Sequence, residues 1–131
     1  MMGLVTIAIA LQAAAPLPPP PPSYDPALIF FDRGSAQISI EGRRVAAWIA
    51  KDVRARPRQC VDVFGYADVK EGSEVAKRKL ADSRAVAVRQ LLISLGVRAA
   101  AIAANGRADR FPLVETSNAQ NQRATIMPCE R

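Results

Sequence analysis

The chain has 131 residues, of which 50% are hydrophobic and 23% charged, so it can form one folded domain and is too short for a multidomain enzyme. It contains no histidine, which excludes a histidine-based catalytic triad, an imidazole general base and any histidine-containing metal site. The formal net charge of +6 favours anionic partners such as nucleic acid, anionic lipid or a carboxylate-bearing polymer, without choosing among them.

The N-terminal part of the chain is first apolar and then rich in proline. Residues 1–15 form an almost unbroken apolar run that ends in three alanines, which is typical of the apolar region of a signal peptide. A wrongly assigned start codon and an uncleaved anchor are the alternatives. Residues 16–26 contain seven of the ten prolines and favour an extended polyproline spacer. We therefore expect a signal-like segment (1–15), a proline-rich spacer (16–26) and a folded domain (27–131).

The folded domain begins with a predicted strand and a predicted helix. The continuous apolar run 28–31 precedes the turn-forming residues 32–35, which predicts a buried strand. Ser39 can cap the helix that follows, with Glu41 in its first turn. Apolar residues then recur at helical spacing, namely Val45, Trp48, Ile49 and Val53.

The rest of the domain continues this alternation of strands and helices. The patterns predict strands over 60–64, 102–105 and 124–127 and a long helix over 74–95, with Gly96 as its C-terminal stop. The order is therefore β-α-β-α-β-β. The economical architecture is an α/β chain (an α+β sandwich), in which the two helices cover one face of a mixed four-stranded sheet.

A series of short motifs runs through the second strand and the long helix. In order, these are Gly-Tyr-Ala-Asp, Gly-Ser, Leu-Ala-x-x-Arg-Ala, Gly-Val and a later glycine, at residues 65–68, 72–73, 80–85, 96–97 and 106. Further matches lie on either side: Phe31, Asp32, Ser35, Glu41 and Gly42, and the triplet Asn121, Gln122 and Arg123. Together they resemble the OmpA-like peptidoglycan-binding domain family over nearly all of residues 27–127.

The resemblance implies how such a domain would hold its ligand. It implies that Asp68 and Arg84 clamp the free end of meso-diaminopimelate in the peptidoglycan stem peptide. This end is a zwitterion, so the guanidinium would bind its carboxylate as a bidentate fork while the aspartate receives its ammonium group. The resemblance adds weaker candidates for the same pocket, which are Arg123, Tyr66, Asp32, Ser35 and Lys77.

Each of these residues also has an ordinary structural interpretation. A loop aspartate such as Asp68 is usually a turn former or a helix cap, and a helical arginine such as Arg84 is usually solvated. A basic residue at the start of a strand, such as Arg123, more often serves solubility or protects a sheet edge. The corresponding interpretations are a half-buried aromatic ring for Tyr66, a turn for Asp32 and a helix cap for Ser35.

The sequence also departs from the family pattern around the proposed clamp. Ala67 stands where the family has threonine, Lys77 stands where it has asparagine, and one additional residue separates Asp68 from Gly72. The family triplet Asn-Arg-Arg is Asn-Gln-Arg at 121–123. These changes keep both charged residues of the clamp but alter their surroundings.

The two cysteines lie at the ends of two predicted strands. Cys60 opens the second strand and Cys129 follows the last one, so they would meet if these strands are antiparallel neighbours. Export would make a disulfide their natural state, and two buried free thiols are the alternative. A metal site is disfavoured, because two thiols without histidine supply too few ligands.

The leading hypothesis is a non-catalytic peptidoglycan-binding domain in the periplasm of a Gram-negative bacterium, which ties an envelope or outer-membrane component to the cell wall. The second is a degenerate OmpA-like scaffold for contacts with other envelope proteins. Nucleic acid is a disfavoured partner, because basic residues are dispersed and stacking aromatics are few. The sequence shows no nucleophile paired with a base. We therefore expect a protein that is not an enzyme and that binds neither a cofactor nor a metal ion.

Overall fold

A computed structural model describes residues 26–56 and 58–130, together with Gly3. The predicted signal-like segment and proline-rich spacer lie outside these residues, apart from Gly3 and Pro26. The described part contains four strands and two long helices, which are β1 (Ala27–Phe30), α1 (Ile40–Arg54), β2 (Gln59–Gly65), α2 (Glu74–Ser94), β3 (Ile102–Gly106) and β4 (Arg123–Glu130). Single 3-10 turns, Ala99–Ala101 and Ala119–Asn121, precede β3 and β4. The predicted element order is confirmed, and β4 extends beyond its predicted ends.

The strands form one mixed sheet in the order β1-β4-β2-β3. β4 lies between β1 and β2 and is antiparallel to both, whereas β2 and β3 are parallel. The parallel pair requires a long crossover connection, which α2 provides. The predicted α+β architecture, with a mixed four-stranded sheet and two helices, is therefore confirmed.

Both helices pack their apolar sides onto one sheet face. Ser39 and Ser73 begin them, each accepting a hydrogen bond at 3.1 Å from a main-chain N–H of the first turn. The buried stripe of α1 runs through Ala46, Ile49, Ala50 and Val53. Trp48 belongs to the predicted apolar pattern but is 52% exposed, because its position lies to one side of this stripe.

Two glycines bring α2 unusually close to the sheet. Gly65 ends β2 and is paired in register with Gly106 at the end of β3. A Cβ atom on Gly65 would overlap the carbonyl oxygen of Ala81, and one on Gly106 would overlap Asp82. This close approach places the Arg84 turn of α2 directly beneath the end of β2.

The two cysteines face each other across β2 and β4. Cys60 and Cys129 are register partners in this antiparallel pair, and a disulfide joins them. The conditional prediction that the two residues meet on neighbouring antiparallel strands is confirmed. Neither helix of the described part is long and apolar enough to cross a membrane.

Candidate functional site

The predicted clamp residues lie where β1 and β2 end. The turn after β1 (residues 32–35) and the segment between β2 and α2 (residues 66–73) meet there over α2. Arg84 points into this junction from α2 and is fully buried, and its Cζ lies 5.2 Å from the ring centroid of Phe31. A buried guanidinium needs a partner for its charge and for each N–H group, so its contacts define the site.

All five N–H donors of Arg84 are used within the chain. Nη1 and Nη2 donate to the two carboxylate oxygens of Glu71 at 2.7 and 2.6 Å, which is a bidentate ion pair. Nε donates to the carbonyl oxygen of Ser35 at 2.9 Å, Nη1 also to that of Tyr66 at 2.8 Å, and Nη2 also to that of Asp32 at 3.2 Å. The guanidinium therefore ties the middle of α2 to the turn after β1 and to the residue that follows β2.

Glu71 is the carboxylate partner of Arg84, and its side chain is 1% exposed. Its oxygens also accept hydrogen bonds from the main-chain N–H groups of Asp68 and Gly34, both at 2.8 Å. Burial alone would raise the pKa of Glu71, but the hydrogen bonds from Arg84, Asp68 and Gly34 outweigh it and hold the pKa below its usual range. Glu71 therefore remains ionised at neutral pH.

Asp68 is also buried, and its carboxylate holds the long loop that precedes β4. Ser117 Oγ, the main-chain N–H of Asn118 and Asn121 Nδ2 donate to it at 2.5, 2.9 and 3.1 Å. The main-chain N–H of Lys70 adds a fourth bond at 3.2 Å. Burial would raise the pKa of Asp68, but these hydrogen bonds outweigh it and place the pKa well below its usual range.

The structure thus brings Asp68 and Arg84 into one cluster but joins them through a third residue. Glu71 Oε1 accepts hydrogen bonds from both the Asp68 main chain and the Arg84 side chain. The sequence interpretation did not include Glu71. The signal that could have revealed it is the stretch between Asp68 and Gly72, which is one residue longer than the family spacing and contains an acidic side chain.

The weaker candidates occupy three different places. The main-chain carbonyl oxygens of Asp32 and Ser35 accept hydrogen bonds from Arg84. These two residues therefore contact Arg84 through their main chain and not through their side chains. Lys77 lies away from this cluster, with Nζ donating to Glu74 and Asp109, both at 2.7 Å. These two hydrogen bonds raise the pKa of Lys77. Lys77 therefore connects the first turn of α2 to the loop after β3.

Tyr66 and Arg123 form a separate pair. Cζ of Arg123 lies 3.9 Å from the ring centroid of Tyr66, and its Nη2 donates to the carbonyl oxygen of Phe111 at 2.8 Å. Ala124, the next residue, faces the core beneath the helices, so strand alternation directs Arg123 to the opposite sheet face from Arg84. Within the described residues, its buried Nε and Nη1 have no hydrogen-bond partner. Burial lowers the pKa of Arg123.

An open groove of about 760 Å³ adjoins the turn after β1. Phe31 and Asp32 belong both to its lining and to the surroundings of Arg84. The remaining polar lining residues are Arg33, Gln37, Ser39, Glu41, Gln120 and Gln122. Among the described residues, no group of three or more carboxylates and thiols is placed to hold a metal ion.

The two depressed carboxyl pKa values predict a loss of stability in acid. Asp68 and Glu71 keep their negative charge to lower pH in the folded chain than in the unfolded chain, where such groups take up protons near about pH 4. Their contribution to the free energy of unfolding is therefore fully present above about pH 5 and is lost as the pH falls below that value. Urea unfolding between pH 7 and pH 3 measures it.

The Asp68→Asn/Glu71→Gln double variant should show a flatter acid dependence than the wild type. Glu115→Gln, which changes an exposed loop carboxylate, should leave that dependence unchanged. Parallel pH profiles for the wild type and the double variant would contradict the assignment.

Comparison with known proteins identifies the family. The model of the OmpA family matches residues 30–125. The Probable lipoprotein YiaD of Escherichia coli (strain K12) is 31% identical over 105 residues, which cover 77% of this chain and 48% of that relative. The chain thus spans about half the length of this relative.

Solved structures share the fold. The peptidoglycan-associated lipoprotein of Burkholderia pseudomallei is 24% identical with a TM-score of 0.74, covering 78% of this chain and 89% of that structure. The C-terminal domain of Helicobacter pylori MotB is 22% identical with a TM-score of 0.71, covering 82% and 86%. At these identities the likeness establishes the fold alone. Since the family model spans most of the folded domain, the chain belongs to the OmpA family.

Proposed function

We propose that this domain binds peptidoglycan without catalysing a reaction and tethers an envelope component to the cell wall. Membership of the OmpA family supports this function, as does the shared fold with a peptidoglycan-associated lipoprotein. The observation that carries the proposal is the fully buried Arg84, whose guanidinium binds a carboxylate in bidentate geometry beside an open groove. The ligand we propose is the zwitterionic end of meso-diaminopimelate in the stem peptide.

In this proposal, a different residue binds each charged group of the ligand. The Arg84 fork would bind the ligand carboxylate, and Asp68 would receive its ammonium group, each charge-assisted contact contributing about 1.5–3 kcal/mol. In the described structure, Glu71 binds the Arg84 fork, and the loop before β4 donates to Asp68. Ligand binding at these two residues therefore includes an exchange of partners.

We place the domain in the periplasm or cell envelope of a Gram-negative bacterium. The signal-like residues 1–15, the proline-rich spacer and the Cys60–Cys129 disulfide support an exported protein. A relative whose name describes a lipoprotein supports association with a membrane of the envelope. Outer-membrane or other envelope proteins are the corresponding candidate partners.

Cosedimentation with purified sacculi tests the proposed function. We expect the full chain to pellet with diaminopimelate-type sacculi and to pellet at least about tenfold less with lysine-type sacculi. Lysine lacks the carboxylate that meso-diaminopimelate carries beside its free ammonium group. Soluble meso-diaminopimelate should release the protein. Wild-type protein that stays in the supernatant would rule out peptidoglycan binding.

The net charge of +6 requires a matched control, because a basic protein adheres to anionic polymers without a specific site. Arg44→Ala removes one positive charge from an exposed position of α1 outside the Asp68, Glu71 and Arg84 cluster. This variant should pellet like the wild type and remain sensitive to meso-diaminopimelate. Equal pelleting with both types of sacculi would indicate non-specific adhesion.

A degenerate scaffold is the second candidate function. It is favoured by the complete use of the Arg84 donors and by the four hydrogen bonds to Asp68, which leave neither group free in the described structure. On this hypothesis the domain contacts envelope proteins and does not bind peptidoglycan. Absence of pelleting by a folded wild-type protein would support it.

A further inference from the structure

We infer that Glu71 is an internal ligand, which fills a preformed carboxylate site and competes there with carboxylates from outside. The inference rests on the proposed function for the identity of the outside ligand, but the site itself is defined by contacts within the chain. It assigns Glu71 as the residue that sets the affinity of this domain for carboxylate-bearing ligands.

Four donors converge on the Glu71 carboxylate. Two are Nη1 and Nη2 of Arg84, at 2.7 and 2.6 Å, and two are the main-chain N–H groups of Asp68 and Gly34, both at 2.8 Å. Each carboxylate oxygen receives one guanidinium donor and one main-chain donor. Any carboxylate of similar position would meet the same four donors, so the site is complete without the Glu71 side chain.

The donors come from parts of the chain that other contacts hold in place. Arg84 is fixed by three carbonyl oxygens, those of Asp32, Ser35 and Tyr66, none of which involves Glu71. The Asp68 carboxylate is held independently by the loop before β4. If the Glu71 carboxylate were removed, its donors would therefore stay in place and form a cationic pocket.

Glu71 lies in a short stretch, residues 69–71, that contributes no side chain to the described apolar core. Its neighbours Val69 and Lys70 are exposed, and the segment connects β2 to α2 at the surface. Besides the Glu71 carboxylate, hydrogen bonds hold this stretch from the main-chain N–H groups of Lys70 and Glu71 to Asp68, at 3.2 and 2.9 Å, and from Nη2 of Arg33 to the carbonyl oxygen of Lys70 at 2.8 Å. An outside carboxylate can thus replace Glu71 by displacing residues 69–71, while the helices, the strands and Asp68 stay in place.

Acetate provides the first test, because it is a carboxylate without the rest of the ligand. Glu71→Ala should lower the melting temperature, and sodium acetate should restore it by about 5 °C in a saturable manner that sodium chloride at equal ionic strength does not reproduce. The wild type should show no acetate-specific shift. The matched control is Glu74→Ala, which removes a nearby carboxylate that is paired but exposed, and it should not respond to acetate.

The outcomes of this test are distinct. A saturable acetate response confined to Glu71→Ala supports the inference. A folded Glu71→Ala protein that ignores acetate overturns it, and so does an equal acetate response in the wild type. If Glu71→Ala does not fold, Glu71→Asp replaces it: this variant keeps the charge but shortens its reach, and it should show the acetate response in weaker form. A folded Glu71→Asp protein without that response overturns the inference.

Pelleting with diaminopimelate-type sacculi separates this inference from the proposed function. If Glu71 competes with the wall carboxylate, Glu71→Ala or Glu71→Asp should bind at least about tenfold more tightly than the wild type. Wild-type affinity in a variant that pellets would overturn the competition while the proposed function stands. If the wild type does not pellet, the proposed function fails, and the acetate result alone then decides whether the carboxylate site exists.

Discussion

Replacing Arg84 with alanine should lower the free energy of unfolding by about 3–5 kcal/mol, the largest effect that we expect from a single substitution in this domain. The loss follows because Glu71 would remain buried without its guanidinium partner, and the carbonyl oxygens of Asp32, Ser35 and Tyr66 would each lose one donor. Urea unfolding at pH 7, followed by circular dichroism, measures the change.

Arg89 offers a matched control on the same helix. Its side chain donates to the carbonyl oxygens of Ile102 and Ala99, at 3.3 and 3.2 Å, without the buried ion pair that Arg84 makes. Arg89→Ala should therefore cost only about 1 kcal/mol. Similar losses for the two variants would show that Arg84 is not the structural centre of the cluster.

A large loss for Arg84→Ala also means that its failure to pellet with sacculi would not by itself identify a ligand contact.

Removing the disulfide should have an effect of comparable size. Cys60 and Cys129 are 69 residues apart, and in the chain-entropy model a loop of about 70 residues contributes roughly 4 kcal/mol to stability. The Cys60→Ser/Cys129→Ser variant should unfold at a correspondingly lower urea concentration. Reductant should lower the unfolding midpoint of the wild type toward that of the variant and should leave the midpoint of the variant unchanged.

Thiol titration checks the same bond directly. Oxidised wild-type protein, unfolded in denaturant without reductant, should show no titratable thiol from this pair. Two titratable thiols, or equal unfolding midpoints for the wild type and the double variant, would contradict the disulfide and its contribution.

These effects matter for function because the same cluster carries stability and the proposed ligand site. Arg84 stabilises the junction of β1, β2 and α2 while presenting the fork that a carboxylate ligand would use. A residue that serves both purposes must be tested with variants that leave the fold intact. Glu71 is the better position for this purpose, since its change alters the occupant of the site and keeps the donors.

The secondary structure was readable from local patterns. Apolar runs, helical spacing, the serine before α1 and the glycine after α2 predicted every strand and both long helices, because periodicity and capping depend on residues within a few positions of each other. The series of short motifs, including Gly65 and Gly106, sufficed to indicate the family. The pairing of Cys60 with Cys129 followed once β2 and β4 were antiparallel neighbours.

The partners within the site were decided only by the tertiary structure. The sequence by itself singled out Asp68 and Arg84 as charged residues of one motif, but the groups around Arg84 come from Asp32, Ser35 and Glu71, which lie 13 to 52 positions away. Arg123 lies on the sheet face opposite to Arg84, because side chains alternate along β4. The order of the motifs does not reveal this placement. A buried guanidinium takes whichever acceptors the packed strands and turns bring to it, so its partner is a property of the fold.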